Sequence, residues 1–133
     1  MKMQSVFRVA RKKAIEIEKL KEEIIKSYLL EIKKLIVAGK WGFVKREKNI
    51  KFLKEWGLLI DDVKDILLDL QPGDYVQGPE QDHLDNKEGD IWIFKNSRYL
   101  DVCIYIKLRY NPPEEVVCIS FHEDEPQEGG EKE

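Results

Sequence analysis

Histidine and cysteine are scarce in this chain, with two of each in 133 residues. The cysteines, Cys103 and Cys118, sit in apolar, strand-like runs and read as small buried residues. Two thiols cannot build a disulfide framework, and a single bridge would need two facing strands. No apolar run approaches the roughly 20 residues of a membrane-spanning helix. The opening MKMQSVFRVARKK has no apolar stretch leading to a small-residue cleavage site. A cytoplasmic protein is therefore expected. Asp82, His83 and Asp85 contain one imidazole between them and match no metal-ligand spacing, so neither metal nor cofactor is expected. No internal repeat is visible.

Charge is abundant. Asp, Glu, Lys and Arg make up 37% of the chain, yet the net charge is only −3. The balance is uneven along the sequence. Residues 1–55 hold 16 Lys and Arg against 7 Asp and Glu, a surplus of +9; residues 56–133 hold 7 against 19, or −12. Such asymmetry fits a polyanion-binding face, an acidic tail, or simply Lys-rich solvated helices.

The periodicity changes midway. From residue 8 to 37 apolar residues recur at spacings of three and four, predicting one long helix or two broken near Ser27. Trp41 to Lys45 reads as a short strand or extended turn. A second helix is expected over Glu47–Trp56 with Ile50, Leu53 and Trp56 inward, stopped by Gly57. A third, capped by Asp61 or Asp62, should turn Val63, Ile66, Leu67 and Leu70 inward. Residues 78–90, GPEQDHLDNKEGD, read as a long polar loop. Three strands follow, over 90–95, 102–110 and 116–121, with turn chemistry between them, which predicts an antiparallel meander. Helices first and a sheet afterwards make the α+β pattern. One domain is expected over 1–124. The acidic end from His122, HEDEPQEGGEKE, lacks apolar anchors, so 125–133 should be a frayed tail.

Within VCIYIKLRY the alternation sorts the side chains. Val102, Ile104, Ile106 and Leu108 share a core face; Cys103, Tyr105, Lys107 and Arg109 share the other. A Tyr-Lys-Arg row suits phosphate: Lys107 and Arg109 can hold and stabilise an anion, and Tyr105 can hydrogen-bond a phosphate or stack on a base. His122 closes the last strand and suits proton transfer near neutral pH. Tyr75 and Gln77, at the start of the polar loop, are candidate substrate-binding residues. Lys45 and Arg46, flanked by Trp41 and Phe43, form a basic-aromatic cluster of the kind that binds nucleic acid.

These segments together resemble a divergent branch of the MqsR-like toxins, within the RelE-like mRNA interferase superfamily. The likeness runs over roughly residues 29 to 124, through IKKLIVAGKW (32–41), EWGLLIDDVKDILLDLQPGDY (55–75), DIWIF (90–94), IYIKL (104–108) and VVCISFHED (116–124). It implies a RelE-like ribonuclease fold and metal-independent cleavage of messenger RNA. The ribose 2′-hydroxyl attacks the adjacent phosphate, leaving a 2′,3′-cyclic phosphate. It also implies a cognate protein antitoxin. Position by position, Tyr105 and Lys107 match the family's Tyr-Leu-Lys strand, and Phe121 its strand-end aromatic. His122 stands where the family has a functional lysine, Gln77 where it has a catalytic lysine, and Ile93 where it has a glutamine. Those changes support a second reading, a non-catalytic RNA-binding or protein-interaction module on the same scaffold. The long N-terminal helix goes beyond the compact toxins; it would cover the sheet, mediate a homodimer or dock the antitoxin.

Overall fold

The computed structural model describes residues 2–81 and 87–125, with side chains from residue 7 onward. Helix α1 spans Lys2–Val37 without a break at Ser27. It enters the core through Ile25, Leu29, Ile32 and Ile36, whose four-three-four spacing lines one face. At its end the backbone N–H of Lys40 returns to the carbonyl of Leu35 at 2.9 Å. Strand β1 (Trp41–Phe43) follows, then α2 (Glu47–Trp56), α3 (Ile60–Leu68) and a 3₁₀ turn at Pro72–Asp74. The rest is sheet: β2 (Tyr75–Gln81), β3 (Asp90–Asn96), β4 (Ile104–Asn111) and β5 (Glu115–Glu123).

The five strands lie in the order β1-β5-β4-β3-β2, with β1 parallel to β5 and every other pair antiparallel. The expected meander of three strands is present as β3-β4-β5, within an α+β architecture. The polar segment expected as a loop from residue 78 opens inside strand β2. Its Gly78-Pro79 pair signals a turn, but here it sits at irregular register on an edge strand, where proline's missing N–H costs no ladder bond. Gly78 is at φ 126°, and a Cβ there would stand 2.6 Å from the Ile91 carbonyl oxygen, so glycine is required where β2 crosses β3. Of the polar segment, residues 82–86 lie outside the described residues, and Asp82, His83 and Asp85 with them.

The inward faces of the helices also differ in detail. In α2 the buried residues are Asn49, Phe52 and Leu53, with Ile50 and Trp56 half-buried. Gly57, at φ 64°, ends the helix in a left-handed turn, and the Leu58 N–H reaches the Leu53 carbonyl at 2.8 Å. In α3 Val63, Ile66 and Leu67 are inward with Leu70, as expected. The cap is not a serine-like residue before the helix: Asp62, inside the first turn, accepts from the Leu59 backbone N–H at 2.7 Å. The chain stays ordered past residue 121. His122 and Glu123 belong to β5, the Asp124 N–H donates to the Cys103 carbonyl at 2.8 Å, and Glu125 pairs with Lys48 at 2.6 Å. The rest of the expected tail, 126–133, is outside the described residues.

The β3–β4 connection is tied to the helical layer through Arg98, which pairs with both Asp74 and Asp69. Both guanidinium Nη atoms of Arg98 donate to the buried carboxylate of Asp74, Nη2 at 2.9 Å. Asp74 also accepts from the Gln71 backbone N–H at 2.9 Å, which fixes the 3₁₀ turn. Nearby, Lys33 Nζ donates to the Leu70 carbonyl at 2.5 Å. Burial pushes the Lys33 ammonium below its ordinary range, against the pull of Asp69 and Asp74. Replacing Asp74 with alanine is expected to cost about 2 kcal/mol, below what a fully buried pair would cost because Arg98 is partly solvated. Urea unfolding checks this, and a loss below a few tenths of a kcal/mol would show the pair to be incidental.

Cys103 and Cys118 are both free thiols. Cys118, on β5, is fully buried in the core, and burial pushes its thiol far up; Cys103 is half-buried just before β4, not wholly inside as expected. A thiol reagent is thus expected to modify Cys103 in the native protein and to reach Cys118 only on unfolding. Equal reaction of both thiols in the absence of denaturant would contradict this burial.

Candidate functional site

The sheet has two unlike faces. One carries Trp92, Phe94, Ile104, Ile106, Leu108 and Phe121 into the core beneath the helices. The other is set by cross-strand register, because directly paired residues share a face. Three rows cross it. The first joins Lys95, Tyr105 and His122; the second Gln77, Ile93, Lys107 and Ser120; the third Glu80, Ile91, Arg109 and Val117. The expected row of Tyr105, Lys107 and Arg109 is therefore real, and His122 stands on its face, diagonal to Lys107 at roughly 7–8 Å.

His122 reaches that face through an irregularity. Leu108 pairs with Cys118 but Lys107 pairs with Ser120, so Ile119 is an extra residue in β5. This bulge switches the strand's parity. Val116 and Cys118 point to the core, Ser120 and His122 away from it. Asn49 of α2 holds the bulge. Its side chain is fully buried; Nδ2 donates to the carbonyls of Val44 and Ile119, both at 2.9 Å, and Oδ1 accepts from the Phe121 N–H at 3.0 Å. Beyond the end of β1, the Asn49 amide thus stands in for the next peptide of that strand.

The polar groups on this face contact one another. Arg46, from the β1–α2 link, donates through Nη2 to Ser120 Oγ at 2.6 Å. The Tyr105 and His122 rings stack at 5.3 Å between centroids and 19° between planes. His122 is only 2% exposed, and its Nδ1 lies 2.9 Å from the Glu123 carbonyl oxygen. A carbonyl can only accept, so Nδ1 carries the proton, and the other ring nitrogen, Nε2, is itself buried. Lys107 and Tyr105 are half-buried, Arg109 is buried, and Lys95 pairs with Asp124 at 3.1 Å. Four cations, Arg46, Lys95, Lys107 and Arg109, thus converge on one side of the sheet.

Other expected site residues lie elsewhere. Tyr75 pairs with Phe94 on the core face; its hydroxyl donates to the Gly78 carbonyl at 2.6 Å and its ring packs on Trp92. The register shift between Tyr75 and Gln77 puts the two on opposite faces. Gln77 is exposed beside Ile93 and donates to Glu80. Lys45 is exposed on the link that carries Arg46. Trp41 and Phe43, which flank it, are half-buried against the core. Among the described residues no three His, Cys, Asp or Glu side chains group as a metal site.

The sequence reading missed Asn49 and Ser120. Asn49 shares the 49-52-53-56 stripe of α2 with Phe52 and Leu53, and a lone amide on an apolar stripe was the available signal. Ser120 gave none. Fold and site together define an α+β domain whose helices cover one sheet face while cations line the other. No protein-family model, curated protein or solved structure matches the chain. Among the described residues no helix is long and apolar enough to cross a membrane.

Proposed function

We propose that this chain is a ribonuclease of the MqsR and RelE kind, the toxin of a toxin–antitoxin pair, which cuts messenger RNA in the cytoplasm without a metal and is held in check by a protein antitoxin. The observation that carries the reading is the convergence of Arg46, Tyr105, Lys107, Arg109, Ser120 and His122 on one sheet face. The chemistry needs a base, an acid and cations around one phosphate. In the proposed step the 2′-oxygen passes its proton to His122 and bonds to phosphorus. The bond from phosphorus to the 5′-oxygen breaks, and that oxygen takes the proton back from His122. Lys107 and Arg109 hold the phosphate and balance charge on the pentacoordinate state. Arg46, steadied by Ser120, adds a donor from the sheet's edge. His122 moves a proton at Nε2, with its tautomer set by the Glu123 carbonyl. Tyr105 orders the imidazole and meets the phosphate or a base.

A second reading, a non-catalytic RNA-binding or protein-interaction module, is favoured by Ile93 and Gln77 beside Lys107 and by the burial of His122. Incubation with a long messenger RNA in EDTA separates the two. Fragments ending in 2′,3′-cyclic phosphate are the expected result. Intact RNA, with ribosomes also supplied, would replace the enzyme with the binding module.

A further inference from the structure

Among the described residues, the first half of α1 is left uncovered. Every residue from Phe7 to Ile24 is exposed, and Ile25 is the first buried one. At the helical rise this overhang is about 27 Å long. It is nevertheless amphipathic. Phe7, Ala10, Ala14, Ile17, Ile24 and Tyr28 recur at heptad spacing, on a stripe rotated away from the Ile25-Leu29-Ile32-Ile36 face that enters the core. Ile17 is 63% exposed, and Phe7 and Ile24 56% each. Where the stripe meets the body an open groove of about 510 Å³ lies between α1 and the edge strand β2, lined by Ile24, Tyr28, Tyr75, Pro79 and Trp92.

Charge along the overhang is polarised. Residues 8–13 hold Arg8, Arg11, Lys12 and Lys13 and no acid; residues 16–23 hold Glu16, Glu18, Glu22 and Glu23 against Lys19 and Lys21. We propose that the overhang is a homodimer interface in which α1 of a second copy packs antiparallel along residues 7–24, each Phe7 entering the other copy's groove. Charge selects this occupant and this direction. A parallel pair would set the cations of residues 8–13 against one another; an antiparallel pair sets them beside the acidic middle and opposes the two macrodipoles. The register that places Phe7 against Ile24 and Ala14 against Ile17 of the second copy also brings Arg11 to Glu18. Two-fold symmetry repeats each contact. Lys21 falls on the stripe and lines the same groove, its Nζ held 5.6 Å from the centroid of the Tyr75 ring. The interface uses none of Arg46, Lys107, Arg109 or His122, so this inference stands apart from the ribonuclease reading.

Light scattering after size exclusion of the full chain, at tens of micromolar, tests it. The expected mass is twice 15.7 kDa. Ile17→Asp, at a site without core contacts, should give a monomer with an unchanged circular dichroism spectrum. Arg11→Glu or Glu18→Arg alone should weaken the dimer about tenfold, and the two together should restore it. A monomeric parent, or a dimer that survives Ile17→Asp, would overturn the interface. A double exchange weaker than either single one would overturn the antiparallel register.

Discussion

Replacing Asn49 with alanine is expected to destabilise the fold by about 3 kcal/mol or more, because it strands three backbone groups that each cost roughly 1–3 kcal/mol when left unpaired. The Val44 and Ile119 carbonyls and the Phe121 N–H all end on this one side chain. Water cannot readily replace it, since Asn49 is fully buried between α2 and β5. Asn49→Asp should be nearly as harmful: it loses both N–H donors and brings a carboxylate against two carbonyl oxygens. Urea unfolding reads the effect directly. Because the stranded groups flank Ser120, any RNA cleavage should fall further than the folded fraction does. A loss of under about 1 kcal/mol would mean that the bulge is held by the β4 ladder alone.

Lys107→Ala should have the opposite profile, with little change in stability and a large loss of cleavage. The side chain is half-buried at the centre of the second row, between Ile93 and Ser120, and lies on the face away from the core. Its removal leaves no cavity, so the expected stability change is within about 1 kcal/mol. A cation placed on the developing charge is another matter; losing one such donor typically lowers the rate by about 10²–10³. Arg109→Lys offers a subtler comparison. It keeps the charge but loses the planar fork that grips two phosphate oxygens, and so should impair cleavage while the fold persists. Full activity in Lys107→Ala would remove the sheet face from the mechanism.

Much of this was legible in the sequence, for a physical reason. Strand β4 is regular, so period-two alternation alone placed Tyr105, Lys107 and Arg109 together. The helices announced themselves through the spacing of Leu29, Ile32 and Ile36 and of Val63, Ile66 and Leu67. What stayed hidden depended on irregular backbone. Strict alternation in β5 would put His122 on the core face with Val116 and Cys118; the bulge at Ile119 reverses it, and no residue type marks a bulge there. The register shift in β2 likewise separates Tyr75 from Gln77, which adjacency had grouped. Gly78-Pro79 spelled a turn and proved to be part of an edge strand. Arg98 with Asp74 and Arg46 with Ser120 join residues 24 and 74 positions apart, and pairings at such range leave no local pattern.

The most direct test of the central claim compares the parent with a Lys107→Ala, His122→Ala double variant on the same messenger RNA in EDTA, with the fold of each followed by circular dichroism. Discrete cuts by the parent that a folded double variant fails to make are the predicted result. Equal cutting by both proteins would contradict it, because the activity would then arise away from the face that carries Tyr105, Lys107, Arg109 and His122.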